Sequence, residues 1–481
     1  MSQARPEPSG IARLAVRGAA ALGTRQLLLG VLSVVGSTLL ARELLPAEYG
    51  VYGLVSLVLT FLLLFGDGGL GAGLIRQKEP PTVHELRQVF TVQLALVTAL
   101  GLVASAIAPV LPHLFGIRHD DVGVFRLAAL AVLVQAFQAI PVLLLERRLD
   151  FARVGMISVL EIAVFYSVAV SLAAAGQGTR SIGIALVSQA TVGAIVAFAL
   201  SPWPLGLTRD LSGVWGKIRF AVLYQGSNVV SFAKDTVTPL LVGLVSGAAA
   251  VGYVSWAITL AVFALITLGS LGRLYLPVFA RLQDDPVRLR RAVELAIRAT
   301  NAATAPLAVL TLVLAHPITD LVYGTRWRPG LPVFYFLWLA NLAVPTVQPL
   351  LALLNALGHA GTTFRLSLMW MLLTWGLTPP LLLALGLRGF GIANALIQLS
   401  NVIVLRAARK QLSFTASSGF LEAWAVAGII GGAVVAFDAQ VGIESLAALG
   451  GVVALALALY LLAQLALQRD QVRYGLSLVR T

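Results

Sequence analysis

Six polar residues cluster in an otherwise apolar stretch: Ser227, Asn228, Ser231, Lys234, Asp235 and Thr238. On a helix over 220–245, turning ~100° per residue, they share an arc of about 120°, with Pro239 placed to kink the helix just beyond them. A cation beside amides and hydroxyls suits an anionic, hydroxyl-rich ligand held by charge-assisted hydrogen bonds. A charge at the centre of a bilayer costs about 2.5–3.5 kcal/mol, so the arc should face a watery cavity or partner helices rather than lipid. It reads as a cavity wall or as a polar helix-packing patch. Lys234 and Asp235 are sequence neighbours, diverge by ~100° and are not expected to pair head-on.

Other polar residues follow the same spacing logic. Arg25, Gln26, Ser33, Gly36 and Ser37 share one arc of the first apolar stretch; Arg25 could bind an anion or snorkel to the membrane edge. Asn341, Gln348 and Asn355 lie on one face with Pro345, and Asn394, Gln398 and Asn401 on another. Such amides can bind sugar hydroxyls or join membrane helices at about 0.6 kcal/mol a contact. Glu161 is an intramembrane carboxyl, hence a candidate proton or sodium site, or else a neutral hydrogen-bonded acid. Asp235 is a second ion-coupling candidate. Arg273 is a further cation at a span's inner end. Asp67 stands in the glycine-rich run 66–73, which lacks the strand context of a nucleotide fingerprint and reads as a mobile inner turn.

The elements that must position these residues are membrane helices. The chain has 481 residues, 58% hydrophobic and only 11% charged, against about 25% charged in a soluble domain. Long unbroken apolar runs exclude a β-barrel, whose strands alternate apolar and polar. Fourteen stretches are long enough to span. Six occupy the first half (18–41, 49–66, 88–111, 124–145, 154–175, 182–201) and six the second (220–245, 251–271, 299–315, 331–354, 367–386, 390–406), followed by a pair at 420–437 and 445–467. The longest loop, about 272–298, is basic and amphipathic, like the segment from Ser9 to Arg17; both could lie on the inner membrane surface.

A formal charge of +13 would suggest nucleic acid in a soluble protein. Here it orients the helices. With both termini cytoplasmic, only Arg42, Arg118, Arg126, Arg180, Arg326, Arg328 and Arg388 fall in outer loops, and Lys234 inside a span; the remaining 26 of 34 basic residues are cytoplasmic. No A-x-A cleavage site follows the first apolar stretch, so the N-terminus is expected to be retained. Zero cysteines exclude disulfides and thiol chemistry, and the five histidines show no metal-ligand spacing. There is no P-loop, H-E-x-x-H or G-x-S-x-G, and Asp120-Asp121 is the single outer acidic pair. No catalytic residue, metal or cofactor is expected, and the chain does not read as an enzyme.

The halves look related at an offset of 202 residues. Tyr49-Gly50-Val51-Tyr52 falls on Val251-Gly252-Tyr253-Val254, and Ser33 falls on Asp235. Two parallel six-helix repeats imply a site between two lobes, 1–205 and 206–412, with 413–481 as a C-terminal helix pair and tail.

Several segments then read together: Leu44-Leu45-Pro46-Ala47-Glu48-Tyr49-Gly50-Val51-Tyr52, Phe65-Gly66-Asp67-Gly68-Gly69-Leu70-Gly71, Arg273-Leu274-Tyr275-Leu276-Pro277-Val278-Phe279-Ala280-Arg281 and Val322-Tyr323-Gly324-Thr325-Arg326-Trp327. In order and spacing the chain resembles the polysaccharide or O-antigen repeat-unit flippases of the multidrug, oligosaccharidyl-lipid and polysaccharide exporter superfamily. The resemblance implies an all-α polytopic membrane protein whose two lobes form a V around a central cavity. It implies alternating access without ATP, driven by the membrane potential or a proton or sodium gradient. The substrate would be an undecaprenyl-diphosphate-linked oligosaccharide, moved from the inner to the outer leaflet of a bacterial inner membrane. Arg25, Lys234 and Arg273 would bind the diphosphate; Asn228, Asp235, Asn341, Gln348, Asn394 and Gln398 would contact sugars. The final helix pair would border a lipid-tail groove. The protein would be a monomer working beside a polysaccharide polymerase and other glycan-assembly proteins. Members of the family usually carry a small or polar residue where Lys234 stands. A cation-coupled drug or metabolite antiporter of the same superfamily is the alternative, although the basic Arg25 and Lys234 suit cationic drugs poorly. A non-transporting scaffold of a glycan-assembly complex is another.

Overall fold

The computed structural model describes residues 28–67, 74, 79–212, 214–415 and 417–467. Side chains at 67, 214–228, 231, 270, 273 and 417–419 lie outside that description. Among the described residues all regular elements are helical. Eleven helices are long and apolar enough to cross a membrane, or twelve with the bent pair Thr325–Asn341 and Val344–Ala356 taken as one span. The fourteen expected spans compare with this as follows: span 18–41 begins outside the described residues, and 220–245 and 251–271 fall in one element, Val214–Phe263, that breaks between them at Gly247. The chain divides into two compact units, 1–252 and 253–481.

The first unit contains α1 (28–43), α2 (Pro46–Asp67), α3 (Val83–Ile107), α4 (Val122–Arg147), α5 (Phe151–Ala174), α6 (Arg180–Leu200) and most of α7 (Val214–Phe263). Local chemistry sets the ends. Thr82 and Glu85 form a reciprocal capping box on α3, and Asp150 caps α5 by accepting from the Arg153 amide. α7 has 50 residues; straight, it would reach about 75 Å, more than twice the hydrocarbon core. It breaks at Gly247, where φ is 79°, a conformation glycine adopts without penalty.

At the α2 start, Arg118 bridges Glu48 and Asp121 at 3.3 and 3.5 Å, while Thr179 donates to buried Asp121. Asp121, one of the adjacent acids Asp120 and Asp121, is thus taken up as a structural latch. At the opposite end of α3, Gln88 donates to the carbonyls of Asp210 and Ser212, and His84 meets Asp210 at 3.0 Å. Arg147 donates to the carbonyls of Leu74 and Glu79.

The second unit contains α8 (Leu268–Arg281), α9 (Pro286–Val313), α10 (Leu331–Asn341), α11 (Val344–Ala356), α12 (Ala360–Leu385), α13 (Leu387–Leu399), α14 (Asn401–Gln411), α15 (Ser417–Val441) and α16 (Leu446–Leu467). Two expectations need correction here. The stretch 272–298 is two helices joined by the turn 282–285 rather than a loop: Asp285 caps α9 by accepting from the Arg288 amide, and Pro286 occupies the first turn. Leu289, Val293 and Ile297 then bury one face against Phe279, Leu353 and Leu354 while the arginines stay outside. The short span 299–315 is accordingly the second half of a 28-residue helix. The stretch 331–354 is not straight. It bends by 42° between α10 and α11, where Pro345 in the first turn of α11 interrupts the amide ladder.

Between α9 and α10, Arg328 grips Asp320 with two bonds of 2.7 and 2.8 Å. The Arg328 hydrogen bond holds the Asp320 carboxyl below its ordinary range. Folding stability from the pair is therefore full above the ordinary carboxylate pKa and lost as pH falls through the lowered one. Asp320→Asn should lower the Tm modestly at neutral pH, and the gap to wild type should close in acid. Thermal melts across that pH range check this; a gap that persists in acid would remove the pair as its cause.

Candidate transport site

Lys234 and Asp235 sit in the first arm of α7 and do pair, against the sequence expectation: Lys234 Nζ lies 2.8 Å from Asp235 Oδ1. Backbone divergence does not prevent it, because the four-methylene stem of lysine folds back around the helix. Their side chains are 41% and 71% exposed within the chain. Neither side chain is sealed inside the unit. Asn228 lies in the same arm with its side chain outside the description, as does that of Arg273 in α8; Arg25, Gln26 and the run 68–73 lie outside the described residues altogether.

The other expected residues are not gathered into one site. Gly36 packs under the Tyr166 ring, so its part of the first arc serves helix packing. The bend after α10 takes Asn341 off the line of Gln348; Asn341 approaches the Ala261 carbonyl at 3.5 Å, Gln348 is exposed, and Asn355 accepts from Thr363 at 2.7 Å. The second stripe satisfies itself: Asn394 donates to the Phe390 carbonyl at 2.9 Å, and Asn401 donates to Gln398. Most of these contacts are local to their own helix or an adjoining turn, and only Asn341 reaches across to a helix distant in the chain.

Three cavities lie among the described residues. In the first unit, Ser33, Tyr52, Ser56, Thr60, Tyr166 and Gln189 edge a pocket of about 310 Å³, rich in hydroxyls and aromatic rings. A second cavity of about 320 Å³ is edged by Gln93, Gln135, Gln138 and Glu146. Its signal was present as amides at i and i+3 in the apolar α4, but their facing partners come from other helices. In the second unit, an apolar trough of about 530 Å³ runs along Val347, Leu350, Val402, Leu405, Phe420 and Leu421, with Gln398, Asn401 and Arg409 at its polar margin.

The trough is walled on one side by α15, which is fixed to the rest of its unit by buried polar bonds. Trp424 donates to Asn301 Oδ1 at 2.9 Å, and Asn301, fully buried, donates to Thr346 at 3.1 Å. On α16, Tyr460 donates to the Ala302 carbonyl at 3.0 Å. In an apolar setting each such group has few other partners, so the C-terminal helix pair is held against α9 in one register.

Residues 39–332 match the family model described as polysaccharide biosynthesis protein. The succinoglycan biosynthesis transport protein ExoT of Rhizobium meliloti (strain 1021) is 25% identical over 348 residues, covering 72% of this chain and 70% of the relative. The lipopolysaccharide biosynthesis protein WzxC of Escherichia coli (strain K12) is 22% identical over 346 residues, covering 70% and 68%. Among solved structures, the lipid II flippase MurJ in an inward closed conformation aligns with a TM-score of 0.72 at 14% identity, over 95% of this chain and 100% of that one. That likeness establishes a shared fold. With the family match extending over more than half of its length, this multi-pass membrane protein belongs to the polysaccharide biosynthesis protein family.

Proposed function

We propose that the protein flips an undecaprenyl-diphosphate-linked oligosaccharide from the inner to the outer leaflet of a bacterial inner membrane, for assembly of a surface or secreted polysaccharide. The observation that carries this reading is the apolar trough beside α15, with Arg409 at its margin. A long isoprenoid tail fits an apolar trough, and a guanidinium at its edge suits a phosphate. Family membership and the names of the relatives, a succinoglycan transport protein and a lipopolysaccharide biosynthesis protein, support the glycan cargo. Lys234, from its exposed pair with Asp235, would take the diphosphate, with Arg25 and Arg273 as further cations and Asn228 and Asp235 toward the sugars. Alternating access of lobes 1–205 and 206–412 would move the cargo. The repeat behind that division is supported by the contact of Gly50 with Gly252, residues that correspond at the 202-residue offset. An inside-negative potential favours outward movement of an anion by ~2.3 kcal/mol per charge per 100 mV, so no ATP site is needed. The termini would be cytoplasmic and the working unit a monomer.

The test is a deletion strain in which lipid-linked oligosaccharides are counted in each leaflet. Accumulation on the inner leaflet with loss of the exported glycan, both reversed by the wild-type gene, is the expected result. A normal leaflet distribution with full glycan export would refute the proposal; dye resistance that depended on the protein would point to the antiporter instead.

A further inference from the structure

We infer that the first unit contains a proton-binding site formed by Glu161 on α5 and Gln138 on α4, closed over the bare backbone of Gly193 on α6. Glu161 Oε1 and Gln138 Oε1 are both buried without a hydrogen-bond partner, and Gln138 is only 8% exposed. The two oxygens converge on one point: a Cβ at Gly193 would lie 2.2 Å from the first and 2.5 Å from the second. Glycine leaves the space that they occupy.

As placed, these two oxygens lack a donor, although the Gln138 side chain lies within hydrogen-bonding reach of Glu161, and burying such acceptors unpaired is unfavourable. A proton on Glu161 resolves both, because the carboxylic O–H then donates to Gln138 Oε1. Inverting the Gln138 amide would supply a donor as well, but to an ionised carboxylate in an apolar interior, which is the costlier arrangement. Hard divalent cations gather about six oxygens, whereas two oxygens meet here, which suits a proton.

The site also has a route for the proton. Gln138 edges the 320 Å³ cavity that holds Gln93, Gln135 and Glu146, a volume sufficient for several waters. On the other side, Ile162 and Gln189 edge the hydroxyl-rich pocket, one residue after Glu161 and one turn before Gly193. Glu161 itself edges neither space, but its partner Gln138 edges the first and its chain neighbour Ile162 the second. The ionisable groups on the three helices are Arg126, Glu146 and Arg147 on α4, Arg153 and Tyr166 on α5, and Arg180 on α6. Glu146 edges the first cavity; Tyr166, with Tyr52 of α2, edges the second. Among the described residues no basic side chain edges either space. Proton binding itself does not depend on the proposed cargo; its use as the coupling ion rests on the transport reading.

The experiment is infrared titration of the purified full-length protein in lipid nanodiscs. At neutral pH the wild type should show the carbonyl stretch of a protonated carboxylic acid. That band should vanish in Glu161→Gln, a near-isosteric change, and shift in Gln138→Leu and Gly193→Ala. A wild type without the band, a band that survives Glu161→Gln, or loss of the band on adding sodium at constant pH would each overturn the site. In vesicles, stimulation of lipid-linked oligosaccharide flipping by an imposed pH gradient should fall to background in Glu161→Gln; undiminished stimulation would overturn the coupling role. If wild-type vesicles flip no such lipid while the Glu161-dependent band is intact, the cargo assignment fails and the proton site stands.

Discussion

Gly50→Val and Gly252→Val should each prevent the protein from accumulating as a folded, monodisperse species. A Cβ at Gly50 would lie 1.7 Å from the Ala248 carbonyl oxygen, and one at Gly252 would lie 1.9 Å from the Pro46 carbonyl oxygen. Both obstacles are backbone, so no rotamer change relieves them. α2 and the second arm of α7 would have to part by more than an ångström. Overpacking a core typically costs about 1–3 kcal/mol, and a clash with helix backbone belongs at or beyond the upper end. In lipid, where little hydrophobic force drives helices together, close approach at small residues is a main source of association, so the separated helices lose what joined them. Size-exclusion profiles and thermal melts in detergent check this, with Gly123→Ala as the control because its Cβ would meet nothing within 4 Å. The two sites should also couple. Gly50→Ala forces the helices apart, so Gly252→Ala added to it should cost less than it does alone. Monodisperse Gly50→Val protein with an unchanged Tm would show that the crossing is not close.

That crossing was half legible in the sequence. The 202-residue offset aligned Gly50 with Gly252, and Pro46 with Ala248, but periodicity alone could not say that the aligned residues touch. The apolar runs declared a membrane fold because hydropathy integrates over some 20 residues and tolerates local error. Where one residue decides, reading failed. The stretch 272–298 looked like a basic loop because its arginines dominate composition, yet Asp285-Pro286 is a helix start and Leu289, Val293 and Ile297 mark a buried face. The amide stripes assumed straight helices, and the bend at Pro345 moved Asn341 off its line. Lys234 and Asp235 were separated by helical geometry and rejoined by a flexible side chain. Glu161 stood out as a charge in a span, but Gln138 and Gly193 reach it from two other helices, and no spacing along the chain encodes that meeting.

Trp327→Ala should destabilise the second unit by about 3–5 kcal/mol, the range for removing a large buried aromatic side chain. Trp327 is fully buried. Its ring stacks on Trp256 with centroids 5.7 Å apart and meets Tyr253 edge-on at 6.1 Å; Trp256 in turn meets Tyr323 edge-on at 5.6 Å. Such pairs add about 0.5–1.5 kcal/mol beyond area burial, and the cluster leaves no route for neighbours to collapse into the void. Backbone geometry supports the same plug from below: Gly324 has a φ of 98°, and a Cβ at Gly330 would lie 2.8 Å from the Trp256 ring. The segment Val322–Trp327, which looked like a family signature, is thus a packing device, and its loss should act on stability before transport. The ordering can be tested. Trp327→Phe keeps an aromatic ring and should retain glycan export with a lowered Tm, whereas Trp327→Ala should lose protein and export together. Trp327→Ala protein that melts like wild type yet fails to export would instead give the ring a part in the transport cycle.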